Sequence, residues 1–251
     1  MSTARPPAVA GNPQPGSEVR WSRAFRPHAM KERSSSRGRV LSRNTLLRPS
    51  DASAESGAHR GRVLDSPLLW QGSETEALAL GSDPQSLAPP WRLLLLSDGS
   101  VTRHLSLLTQ SEVNVDCVGM DLHSDADPLP EEAEVMGGGL LLRQVFLRTR
   151  RRQALVYARS WWRADSVDGY LTDKAQPIWT SLSERKTELY REILTVECGH
   201  NEELEREFGR PGPFWGRYYI FWHAGQPLTV IQEVFSPGMD EWLGPSSPPV
   251  H

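Results

Sequence analysis

The chain has 251 residues, 38% hydrophobic and 24% charged, with a net charge of −3, which leaves room for one generous globular domain or two small ones. No apolar run approaches the ~18 residues of a membrane-spanning helix, and the N-terminus lacks the apolar stretch of a secretory signal. Two cysteines, Cys117 and Cys198, cannot build a disulfide framework and have no neighbours at zinc-ligand spacing, so the chain reads as cytoplasmic.

Charge is unevenly spread. Residues 1–62 carry twelve Lys/Arg and four Asp/Glu, about +8, against about −11 for residues 63–251. This basic head is rich in Pro, Ser, Gly and Ala, has no sustained periodicity, and reads as disordered. The acidic remainder argues against general nucleic-acid binding. Residues 63–89 read as a weakly ordered lead-in with a short helix over 75–80, punctuated by Pro84, Pro89 and Pro90.

The apolar run 91–96 reads as a buried strand ending in Ser97-Asp98-Gly99-Ser100, whose last serine or the following Thr102 caps a helix over 102–108. Alternation predicts a half-buried strand over 113–120, then an acidic loop over 121–138. Two hairpins follow. One joins 139–148 to 154–162 around Thr149-Arg150-Arg151-Arg152, and the other joins 214–223 to 228–235 around Ala224-Gly225-Gln226-Pro227, with glycine placed for positive φ. Between them, 183–190 and 201–208 read as helices, the second capped by Asn201. The expectation is a single α+β domain over 90–244 with an antiparallel sheet of about six strands, helices and an enclosed ligand site, followed by a tail over 245–251. The chain has no βαβ rhythm and no glycine-rich phosphate loop, which disfavours a nucleotide cofactor.

No His-x-x-x-His pattern and no Gly-x-Ser-x-Gly elbow is present, and His104, His200 and His223 stand without sequence partners. What remains is charge inside strand-like apolar runs. On a two-residue period Arg143 shares a face with Leu141, Val145 and Leu147, and Glu233 shares one with Ile231 and Phe235. Arg159 and Arg217 lie in similar runs. A charge on an apolar face is costly unless paired. Two readings stay open: these charges form ion pairs stitching the hairpins together, or a small acid sits between arginine, whose fork suits a carboxylate, and Glu233, which suits a hydroxyl.

Five segments in order carry a resemblance: residues 93–103 (Leu-Leu-Leu-Leu-Ser-Asp-Gly-Ser-Val-Thr-Arg), Leu142-Arg143-Gln144-Val145-Phe146-Leu147, Ala158-Arg159-Ser160, Trp215-Gly216-Arg217, and residues 226–237 around Glu233. Together they resemble the chorismate lyases, closest to the divergent branch of photosynthetic bacteria, over about 90–244. The resemblance implies an α+β fold with an enclosed site and a cofactor-free, metal-free elimination of pyruvate from chorismate that leaves 4-hydroxybenzoate. Monomers, and a product feeding a quinone head group such as that of plastoquinone, are further implications. Carried over by position, Arg143 grips the ring carboxylate with backbone N–H groups near Val101 and Ile178, and Glu233 takes the ring hydroxyl. Arg159 and Arg217 are candidates for the second carboxylate. The pattern departs from the family at Gln144, where a glutamate is usual, and at Pro177-Ile178-Trp179, where tryptophan stands in place of glycine. A non-catalytic sensor of small aromatic acids on the same fold is the alternative.

Overall fold

The computed structural model describes residues 61–80, 87–124, 127–171, 178 and 188–247. Seven strands build one antiparallel sheet: β1 (Trp70–Gly72), β2 (Val113–Leu122), β3 (Leu140–Thr149), β4 (Ala154–Arg163), β5 (Tyr190–Gly199), β6 (Phe214–His223) and β7 (Gln226–Phe235). Their spatial order is β1-β5-β6-β7-β4-β3-β2. The helices are α1 (Glu74–Ala79), α2 (Pro89–Leu95), α3 (Val101–Thr109), α4 (Glu202–Phe208) and α5 (Asp240–Leu243). The α+β antiparallel class is the one the sequence predicts.

Both hairpins lie where the pattern puts them. Ala224 and Gly225 have φ of +49° and +74° and make a two-residue turn, so β7 starts at Gln226 rather than Leu228. Ser100 and Asn201 cap α3 and α4, accepting from the backbone N–H of Arg103 and Leu204.

Two elements differ from expectation. The run 91–96 is not a strand but most of α2: Trp91, Leu94 and Leu95 are buried while Leu93 is 76% exposed, the i, i+3, i+4 spacing of a helix. A six-residue apolar run carries too little periodicity to separate the two, and the prolines that precede it suit a helix's first turn. The sheet also gains β1 and β5. In β5 a bulge between Ile193 and Thr195 breaks the two-residue period, which hides the strand from a pattern search. The helix expected over 183–190 falls largely outside the described residues, and Tyr190 already belongs to β5.

Each face of the sheet is covered. On the first, Trp91, Leu95, Val101 and Leu105 from α2 and α3 pack on Val145, Val156, Trp215 and Phe235. On the second, Leu204 and Phe208 of α4, with Val63 and Leu64, pack on Phe146, Tyr157, Phe214 and Val234. The lead-in over 63–89 therefore supplies core residues, β1 and α1, the last opened by a capping box between Ser73 and Glu76. Among the described residues no helix is long and apolar enough to cross a membrane.

Candidate active site

The strand register brings Arg143 and Glu233 to one face. Arg143 stands opposite Ser160 and Val145 opposite Ala158 across β3–β4, while Ser160 faces Ile231 and Ala158 faces Glu233 across β4–β7. The strand between the two charges thus presents only alanine and serine there, and these small side chains leave a hollow in an otherwise large-residue core. A cavity of about 60 Å³ occupies it, bounded by Arg143, Ser160, Glu233, Val101, Ile178 and Arg191, among others. It is far too small for a dinucleotide.

Glu233 and Arg143 are 5% and 2% exposed. Glu233 does not depend on Arg143 for a partner: Arg217 Nε and Nη2 both lie 2.9 Å from its Oε2, and the Tyr219 hydroxyl donates to Oε1 at 3.0 Å. Burial, with Glu233 beside it, pushes the Tyr219 pKa above its ordinary value, so the phenol stays a donor. Arg217 Nη1 also donates to the carbonyls of Leu94, Leu95 and Ser97. Those carbonyls lie at and just beyond the C-terminus of α2, which favours a cation. Arg217 therefore stands behind Glu233 and aims it, with Nε and Nη1 donating to the protein and Nη2 at ion-pair distance from Oε2. A strand over 91–96 could not have offered that cluster of carbonyls.

Val101 opens α3, where the first backbone N–H groups of the helix lack intrahelical acceptors and are suited to a carboxylate. Ile178 borders the same cavity, while its neighbours Pro177 and Trp179 lie outside the described residues. Arg159 is elsewhere. Pairing with Gln144 and Gln232, it projects from the second face, where its Nε and Nη2 donate to Gln232 Oε1 at 3.0 and 2.8 Å and its guanidinium lies over the Trp161 ring. It continues there into a buried network: Gln232 Nε2 donates to Glu197 at 2.9 Å, and Arg62 bridges Glu197 and Glu132 at 2.7 and 2.6 Å. Of the four arginines and glutamates singled out in the sequence, then, Arg143 and Glu233 border the cavity, Arg217 supports it, and Arg159 belongs to the opposite side.

Sequence reasoning missed Arg191 and Tyr219. Arg191 went unread because its strand is bulged; Tyr219 follows Glu233's cross-strand partner Arg217 by two residues, a signal that becomes visible only once β6 is paired with β7. Gly216 of the Trp-Gly-Arg segment has a packing reason as well: a Cβ there would lie 3.0 Å from the Glu233 carbonyl oxygen, tighter than an ordinary contact. Among the described residues no group of three or more His, Cys, Asp or Glu is placed to hold a metal. Chemically, the cavity offers arginine for a carboxylate, helix N–H groups beside Arg143, and a carboxylate held ready for a hydroxyl.

A protein of Cyanophora paradoxa described as uncharacterized protein ycf21 is 32% identical over 68% of this chain and 88% of its own length. The chorismate pyruvate-lyase of Mycobacterium leprae is 28% identical over 57% of this chain and 72% of its own. Among solved structures, the effector domain of PhnF from Mycobacterium smegmatis is 14% identical, covers 57% of this chain and 91% of that one, and superposes with a TM-score of 0.44, too distant to bear on function. The family described as chorismate pyruvate-lyase Rv2949c-like matches residues 95–243, three-fifths of the chain, and with that match the protein belongs to this family.

Proposed function

We propose that the protein eliminates pyruvate from chorismate and leaves 4-hydroxybenzoate. The observation that carries this reading is the placement of Arg143 and Glu233 on one sheet face, flanking a hollow floored by Ala158 and Ser160. Arg143 and the first N–H groups of α3 take the ring carboxylate, and Glu233 takes the ring hydroxyl. In the reaction the ether bond from the ring to the enolpyruvyl oxygen breaks, the ring loses the proton on the hydroxyl-bearing carbon, and the departing enolpyruvate gains a proton to become pyruvate. Aromatisation drives the step, so the protein's share is orientation and electrostatics in a closed site. Arg217 and Tyr219 fix the Glu233 carboxylate without moving parts.

The direct test mixes the purified protein with chorismate, without added metal or cofactor, and follows both products by chromatography. Equal amounts of 4-hydroxybenzoate and pyruvate, lost in Arg143→Ala, support the lyase. Stabilisation by 4-hydroxybenzoate with no turnover would replace it with a sensor of aromatic acids.

A further inference from the structure

Two arginines border the cavity, and the proposed chemistry uses only one for the ring carboxylate. Arg191 enters from β5, four strands away from Arg143 on β3, with β4, β7 and β6 between them. At the usual strand spacing that separates the two backbones by roughly 19 Å, so the side chains approach the cavity from opposite ends. Glu233, on β7, stands midway.

Arg191 is held in place for contact with a ligand. It is 9% exposed. Its guanidinium lies 4.3 Å from the Tyr219 ring centroid and 4.8 Å from that of Phe221, which fixes its plane. Nη1 donates to the Ser97 carbonyl at 3.1 Å, but the buried Nε has no hydrogen-bond partner among the described residues. Among the described residues no carboxylate pairs with it: Glu233 is bonded to Arg217 and Tyr219. Burial, and Arg217 nearby, hold its pKa below the ordinary arginine value. A guanidinium desolvated this far is costly unless an anion completes it.

We propose that Arg191 anchors a second carboxylate, so that the cavity selects ring acids carrying a further carboxylate on an ether arm over ring acids with one carboxylate. This rests on the reading of the cavity as a site for chorismate, whose enolpyruvyl group is such an arm, and it assigns to Arg191 the role that sequence alone left to Arg159 or Arg217. A dianion spanning Arg143 and Arg191 places its hydroxyl-bearing carbon at Glu233. The one-carboxylate product loses the Arg191 contact, which favours its release.

The test compares binding of 3-(carboxymethoxy)benzoate and 3-methoxybenzoate, which differ by the second carboxylate and undergo no elimination. The intact protein is expected to prefer the dicarboxylate by on the order of tenfold or more, as a charge-assisted contact provides. Arg191→Gln should bring the two affinities together by weakening the dicarboxylate alone, and Arg191→Lys should keep part of the preference. Equal affinities in the intact protein, or a preference that survives Arg191→Gln, overturn the assignment. Should Arg191→Gln not fold, the intact protein and Arg191→Lys still decide it. Chorismate turnover is scored separately: turnover without the preference refutes this inference alone, and preference without turnover refutes the lyase while leaving the anchor standing.

Discussion

Glu233 receives two protein donors before any ligand arrives, Arg217 on Oε2 and Tyr219 on Oε1, so its carboxylate is oriented in advance. Preorganised groups of this kind carry most of their benefit into the transition state. Glu233→Gln keeps the volume but presents one oxygen where two are used, and it leaves Arg217 without its anion. We predict that kcat for chorismate falls by on the order of 10²-fold or more while the circular dichroism of the fold is unchanged; full activity would remove Glu233 from any obligatory role. Arg143 acts at the other end. Arg143→Ala should weaken 4-hydroxybenzoate by roughly tenfold to a hundredfold, one charge-assisted pair, as read by calorimetry. Unchanged affinity would take the ring carboxylate away from Arg143.

Among elements, the decisive contact is between α2 and β6. Arg217 ties the last carbonyls of α2 to Glu233, so the helix and the site share one buried guanidinium. Removing it alone strands a buried carboxylate. Arg217→Met should cost about 3–5 kcal/mol in urea unfolding, and adding Glu233→Leu should return part of that, because a buried pair is weak against apolar replacement but strong against loss of one partner. If the double variant is no more stable than Arg217→Met, the two are not coupled. This contact also shows how far the sequence was legible. Arg143 and Glu233 were readable because β3 and β7 keep a clean two-residue alternation, and their family segments stand in order. Arg217 was readable as a charge, but its role depended on α2, whose leucine-rich run over 91–96 is too short to distinguish strand from helix. Arg191 was hidden by the bulge in β5, and the face from which Arg159 projects, opposite the cavity, shows only once its strand is paired with β3 and β7.

For the whole molecule, the two sheet faces divide the work. The first holds the cavity; the second holds an ion network in which Arg62, from the segment before β1, bridges Glu197 and Glu132 over the Tyr218 ring. Burial raises the Glu197 pKa above its ordinary 4.5, with Arg62 pulling it back. A carboxyl raised on folding contributes stability below its unfolded pKa and loses it as pH climbs through the folded value, so ionised Glu197 depends on Arg62 at neutral pH. Arg62→Met keeps the apolar stem and removes the charge. The expected cost at pH 7 is about 3–5 kcal/mol, narrowing as pH falls toward the ordinary carboxyl range, where Glu197 takes up a proton and no longer needs the cation. Ligand affinity, measured where both proteins are folded, should stay within about twofold, because the network and the cavity lie on opposite faces of the sheet. Paired unfolding curves at several pH values check the first half and a 4-hydroxybenzoate titration the second. A stability loss that does not vary with pH would mean that Arg62 acts by packing, and a large affinity loss would mean that the faces are coupled through Gln232 and its neighbour Glu233.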